Sequence, residues 1–197
     1  MKLLKIHFPP YRTFLVLFLF LPNVSLGQAL TVLGGDAWAT ECFDNAEYVA
    51  RNMPVISRGL LEPCDSALDY GTLSLADRAA TYSNRGIIHT ANENIDSAMA
   101  DFAKATGFRP ETAEIYVNRG NAYFLNRDYI MALDDYEYSI ELGIRQLHIV
   151  RYNIGMTFEK IGNDEEAENQ FRVALELEPG WELVEKRLER LLERRAE

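Results

Sequence analysis

At 197 residues the chain is long enough for one domain, and its 48% hydrophobic content is typical of a globular protein. The formal net charge is −10, and binding to nucleic acid requires a basic stripe, so the composition excludes nucleic acid as an expected partner. Such acidity favours solubility.

The first 29 residues have the layout of an export signal. Basic residues precede a short apolar run, and small residues follow it: Lys2, Lys5 and Arg12, then Phe14–Leu21, then Ser25, Gly27 and Ala29. This order is typical of a secretory signal peptide, so residues 1–29 are predicted to be removed by cleavage after Gly27 or Ala29. We expect an exported, periplasmic or extracellular protein with a mature charge of about −13. The alternative is an uncleaved segment that anchors the chain in a membrane.

Residues 30–74 are predicted to form an N-terminal helical cap. Helices are expected over Asp36–Asn52 and Gly59–Tyr70, with a break at Met53-Pro54. The two cysteines, Cys42 and Cys64, form an even pair, which in an exported chain suggests a disulfide worth about 3 kcal/mol. Two buried free thiols are the alternative.

A repeat of 34–35 residues follows. Gly86, Gly120 and Gly155 lie 34 and 35 residues apart, and the same three residue types follow each at fixed distances. These are an alanine (Ala98, Ala132, Ala167), an aromatic residue (Phe102, Tyr136, Phe171) and a small residue (Ala105, Ser139, Ala174). A constant period of this length indicates stacked helical repeats.

The three copies resemble tetratricopeptide repeats, whose pattern combines a bulky residue, Leu-Gly, Tyr, Ala, Phe and Pro. The copies read Tyr82, Arg85-Gly86, His89, Ala98, Phe102, Ala105, Pro110; Tyr116, Arg119-Gly120, Tyr123, Ala132, Tyr136, Ser139, with Ile144 in place of proline; and Arg151, Ile154-Gly155, Phe158, Ala167, Phe171, Ala174, Pro179. The resemblance implies an all-α, right-handed α-solenoid of helix-turn-helix units. Its repeats would span 75–179, as copies 79–112, 113–146 and 148–181.

Side chains at equivalent positions predict how each copy packs. The glycines allow close helix approach, and the aromatic residues fill the space between helices. Arg85 with Asp101 and Arg119 with Asp135 are predicted to form salt bridges within copies one and two, worth below 1 kcal/mol if exposed. In the third copy both charges are absent.

Residues 180–197 are predicted to form a capping helix. Trp181, Val184, Leu188 and Leu191 lie at helical spacing on one apolar face, and the other face is charged. A partner-binding or coiled-coil helix is the alternative, although the segment is short for one.

Motifs for catalysis or metal binding are not found in the sequence. It contains no HExxH, P-loop or GxSxG motif, and its three histidines have no ligand partner at helical spacing. We expect no enzymatic activity, no cofactor, no metal and no small-molecule substrate.

The candidate site is a ladder of asparagines two residues before each repeat glycine: Asn84, Asn118 and Asn153. An asparagine amide can donate to and accept from a peptide backbone at once. The resemblance implies that these residues line the concave face, where some tetratricopeptide proteins hold extended peptides through one asparagine per repeat. The alternative is local bonding to the neighbouring repeat. Other predicted groove positions are Ser83, Ile87, Asn121, Phe124, Tyr152 and Met156.

These features predict an adaptor that binds a protein or peptide segment in its concave groove. A structural module that self-associates through a stack end or the C-terminal helix is the alternative. The sequence does not identify the partner.

Overall fold

The computed structural model describes residues 28–33, 35–52 and 58–196. Helices make up most of this part of the chain. These residues contain nine α-helices, one short 3-10 helix (Arg58–Leu60) and no strand. The α-helices are α1 (Ala37–Asn52), α2 (Glu62–Tyr70), α3 (Leu75–Ala91), α4 (Ile95–Phe108), α5 (Ala113–Leu125), α6 (Tyr129–Glu141), α7 (Leu147–Ile161), α8 (Asp164–Leu177) and α9 (Glu182–Ala196). The apolar run predicted as a signal and the expected break at Met53-Pro54 lie outside the described residues.

Three helical hairpins, α3–α4, α5–α6 and α7–α8, form the body of the molecule, and each packs against the next. This confirms the predicted all-α helical-repeat fold. Each turn within a hairpin contains one residue with a positive φ, in the left-handed region: Glu93, Arg127 and Gly162. Among the described helices, none is both long and apolar enough to cross a lipid bilayer.

The repeat glycines lie against the aromatic ring of their own hairpin. A Cβ added to Gly86 would lie 2.8 Å from Phe102, one added to Gly120 would lie 2.7 Å from Tyr136, and Gly155 has the same relation to Phe171. All three rings are fully buried. The sequence period therefore records a packing requirement, since any larger residue at the glycine would displace a core ring.

The predicted salt bridges are present in the first two hairpins. Arg85 binds Asp101 through two hydrogen bonds of 2.7 Å, and Arg119 binds Asp135 in the same way at 2.7 and 2.8 Å. Both carboxylates are buried, so the small contribution to stability that is expected of an exposed ion pair does not apply. Hydrogen bonding to Asp135 raises the pKa of Arg119 and keeps it charged.

Atypical helices cover both ends of the stack. At the N-terminal end α1 packs on α2 and α3, and a disulfide joins Cys42 to Cys64 with a Cα–Cα distance of 4.7 Å. At the C-terminal end Val184, Leu188 and Leu191 of α9 are buried against α7 and α8.

Candidate functional site

An extended segment of the chain, Gln28–Leu33, lies across the first helices of the repeats. We call this segment the strap, and we call the face of α3, α5 and α7 together with the adjacent α1 the groove. Residues of the strap contact α3 and α5, and its first residues border a cleft between α1 and α7. The residues that line this cleft are Gln28, Ala29, Glu47, Ala50, Arg51, Gln146 and Ile149.

Two of the predicted ladder residues bind the strap backbone. Asn84 accepts a hydrogen bond from the Leu30 amide at 2.7 Å and donates one to the Leu30 carbonyl at 2.8 Å. Asn118 makes the same pair with Gln28, at 2.8 Å and 3.0 Å. Each asparagine side chain thus pairs with the strap backbone in the way that one residue of a neighbouring β-strand would. Because the bonds involve only backbone atoms of the strap, they would accept almost any residue type at these positions.

The spacing of the bonds matches an extended chain. Gln28 and Leu30 are both bonded and residue 29 between them is not, which is the alternation expected of an extended chain. The strap runs from the second repeat towards the first, opposite to the order of the repeats. Each step of two strap residues therefore corresponds to one repeat.

A third polar contact fixes the other end of the strap. The Leu33 amide donates to Asp77 Oδ1 at 2.7 Å, while Asp77 Oδ2 accepts from the hydroxyl of Ser74 at 2.7 Å. Ser74 caps α3 by accepting from the Asp77 amide. Asp77 therefore has a role that sequence reasoning missed, because a carboxylate in the first turn already has an explanation as a helix-start residue.

Apolar contacts support the strap alongside its hydrogen bonds. Ala29 and Leu30 pack against the core cluster formed by α1, α3 and α4, whereas Thr31 and Leu33 are exposed. Sequence reasoning missed this segment because its first two residues fall inside the region predicted as a signal. The residues after Gln28, Ala-Leu-Thr-Val-Leu, also show no alternation of apolar and polar residues that would mark an extended segment.

The third ladder residue makes a different contact. Asn153 donates to Asn121 Oδ1 at 3.0 Å, and the same oxygen accepts from the hydroxyl of Tyr136 at 2.8 Å. This is the local bonding between repeats that the sequence left open. Asn118 combines both roles, since it also donates to the hydroxyl of Ser83 in the preceding repeat at 3.1 Å.

The remaining predicted groove residues are buried. Ile87, Phe124 and Met156 belong to the two core clusters, and each is at most 7% exposed. Tyr152 packs between the rings of Phe171 and Trp181, and burial raises the pKa of its phenol. With the strap in place, these four side chains contribute to the packing of the repeats and present little surface to solvent.

The site offers hydrogen bonding and apolar contact, with little that could perform chemistry. Within the described ranges, no group of three or more His, Cys, Asp or Glu side chains could hold a metal ion. His89 lies beside Arg85 and Asp101, and burial lowers the pKa of its imidazole. The arrangement defines a helical-repeat protein whose groove is occupied by an extended segment of its own chain.

Comparison with known proteins identifies the repeats. Residues 149–180 match the family model for the tetratricopeptide repeat. Human tetratricopeptide repeat protein 13 is 34% identical over 99 residues, which is 50% of this chain and 11% of the relative. Protein bimA of Emericella nidulans is 32% identical over 84 residues, covering 43% and 10%. The chain thus spans about a tenth of the length of these curated relatives.

Two solved structures share the fold. The first tetratricopeptide domain of Spaghetti (RPAP3), bound to the HSP90 peptide SRMEEVD, has a TM-score of 0.57 at 21% identity and covers 62% of this chain and 96% of that one. MamA AMB-1 has a TM-score of 0.57 at 14% identity, with coverage of 81% and 82%. The chain thus contains a tetratricopeptide repeat at residues 149–180 and is similar in fold to the tetratricopeptide domain of Spaghetti.

Proposed function

We propose that this chain is an exported, non-enzymatic adaptor that holds an extended peptide or protein segment in its groove through Asn84 and Asn118. Tetratricopeptide repeats mediate protein–protein interactions, and one structural neighbour is bound to a peptide. The observation that carries the proposal is the strap, because it shows a polypeptide bound through paired backbone hydrogen bonds to both asparagines.

The groove chemistry favours a peptide over other ligand classes. Backbone amides and carbonyls satisfy both Asn84 and Asn118, and a chain that extends by two residues per repeat reaches one asparagine after another. Leaving such a buried amide without partners costs about 1–3 kcal/mol. An extended peptide therefore fits this site better than a helix, whose backbone groups are already paired.

Self-association through the C-terminal helix has less support. Val184, Leu188 and Leu191 of α9 are buried within the chain itself, although Leu192 is 38% exposed, and three arginines of α9 bind carboxylates of α7 and α8. These ion pairs are Arg187–Glu159, Arg194–Glu159, Arg194–Asp164 and Arg195–Glu168. These ion pairs hold the helix against the last hairpin and support its role as a cap.

Export is the second part of the proposal, supported by the N-terminal sequence and the Cys42–Cys64 bond. Cleavage after Gly27 would retain Gln28 and Leu30, the two strap residues that bind Asn118 and Asn84, whereas cleavage after Ala29 would remove Gln28. Mass spectrometry of protein from the native host should give Gln28 as the first residue. An N-terminus at Met1 would contradict cleavage.

The peptide function is tested with a fluorescent, N-acetylated and C-amidated peptide of the strap sequence, QALTVL. The test uses the full chain with Leu30→Pro, because the proline removes the strap amide that donates to Asn84. In that chain Asn84→Ala/Asn118→Ala should weaken binding of the peptide at least tenfold, because four backbone hydrogen bonds are lost. Fluorescence anisotropy measures the affinity. Asn169→Ala is the matched control, since this asparagine is exposed on α8 and contacts only Glu166 among the described residues. Equal affinity for the double variant and the control would contradict the proposal.

A further inference from the structure

We infer that the strap is an internal ligand, which an uncharged extended peptide of similar chemistry must displace before it enters the groove. The inference rests on the proposed function and adds a regulation and a partner class to it. The groove is then closed in the free protein, and binding requires the strap to leave.

Strap and partner compete for the same atoms. Asn84 directs both its oxygen and its nitrogen to Leu30, and Asn118 does the same to Gln28. Both asparagines are at most 1% exposed while the strap is in place. A second peptide therefore cannot form these hydrogen bonds until the strap has been released.

The surroundings of the strap define the partner. Ala29 and Leu30 contact the apolar cluster below them, and the two charged residues of the neighbouring cleft, Glu47 and Arg51, are paired with each other. A charged residue at either strap position would therefore lose hydration without gaining a free counter-charge. At the far end the Asp77 carboxylate accepts a backbone amide, which disfavours an acidic residue there. The partner is thus an extended segment that is uncharged over three or more residues and apolar at the position of Leu30.

The strap is held firmly enough to compete and weakly enough to leave. It makes backbone hydrogen bonds at Gln28, Leu30 and Leu33, but the side chain of Leu33 is 86% exposed. Gly35, which follows closely, has a φ of +70° that glycine adopts readily. A short tether of this kind gives the strap an effective concentration in the millimolar range, so a free peptide meets a strong internal competitor.

Leu30→Pro tests the inference in the full chain. The proline removes the amide that donates to Asn84 and should open the groove, so the QALTVL peptide should bind at least tenfold more tightly than to the native chain. Thr31→Pro is the control, because Thr31 is exposed and its amide has no acceptor within the described residues. This variant should bind the peptide as the native chain does.

The outcomes separate the inference from the proposed function. If the native chain and Leu30→Pro bind the peptide equally, the strap is not an internal ligand. If that binding is lost in both when Asn84 and Asn118 are changed to alanine, the peptide function still stands. Binding to neither chain would overturn the peptide function and with it the inference. Light scattering should give a monomer, since a strap exchanged between copies would produce a dimer and contradict occupation within one chain.

Discussion

Tyr136→Ala is expected to lower the free energy of unfolding by about 3–5 kcal/mol. The ring is fully buried, lies against Gly120 and donates its hydroxyl to Asn121, so its removal leaves a large cavity in the middle repeat. Neighbouring repeats stabilise one another across their interfaces, which transmits the loss along the stack. Urea unfolding followed by circular dichroism measures the change.

Two tyrosine variants serve as controls for this cavity. Tyr138 lies two residues further along α6, is 41% exposed and packs edge-on against the ring of Tyr116. Tyr138→Ala should therefore cost only about 0.5–1.5 kcal/mol. Tyr136→Phe should cost about 1 kcal/mol, since only the hydrogen bond to Asn121 is lost. Similar losses for Tyr136→Ala and Tyr138→Ala would show that the ring is not a core residue.

Loss of the Cys42–Cys64 disulfide is the second large effect, at about 3 kcal/mol for a loop of this length. Both cysteines are fully buried, so Cys42→Ala/Cys64→Ala keeps an apolar environment and removes chiefly the cross-link. Urea unfolding of oxidised protein, reduced protein and the double variant measures the difference.

Reductant supplies the internal control for this experiment. It should lower the stability of the native chain and leave the double variant unchanged. If oxidised and reduced native protein unfold at the same urea concentration, the bond contributes nothing and the account of the N-terminal cap is wrong. Because α1 also borders the groove, we expect reduction to weaken retention of the strap as well.

The repeat body was accessible from sequence because its packing recurs. Gly86, Gly120 and Gly155 each contact one aromatic ring, and a requirement that recurs at 34–35 residues is visible without a structure. The Arg–Asp pairs were predictable from the sequence for the same reason, since both partners are present in copies one and two and both are absent from copy three. Helix α9 was visible because its buried residues lie at regular helical spacing.

The candidate site was only partly accessible because it joins distant parts of the chain. Asn118 and Gln28 are 90 residues apart, and no local pattern connects them. Equivalent positions also diverge in their contacts. Asn153 has the same place in its repeat as Asn84, but a neighbouring polar residue, Asn121, takes its hydrogen bond. For Asn118 the equivalent position in the preceding repeat is Ile87, whose side chain offers no acceptor.

The amide hydrogen exchange of individual strap residues tests the central claim most directly, namely that Asn84 and Asn118 hold an extended backbone. NMR of the native chain should show slow exchange at Leu30 and Leu33, whose amides donate to the groove, and fast exchange at Thr31. Asn84→Ala should abolish protection at Leu30. Fast exchange at all three residues would contradict the account.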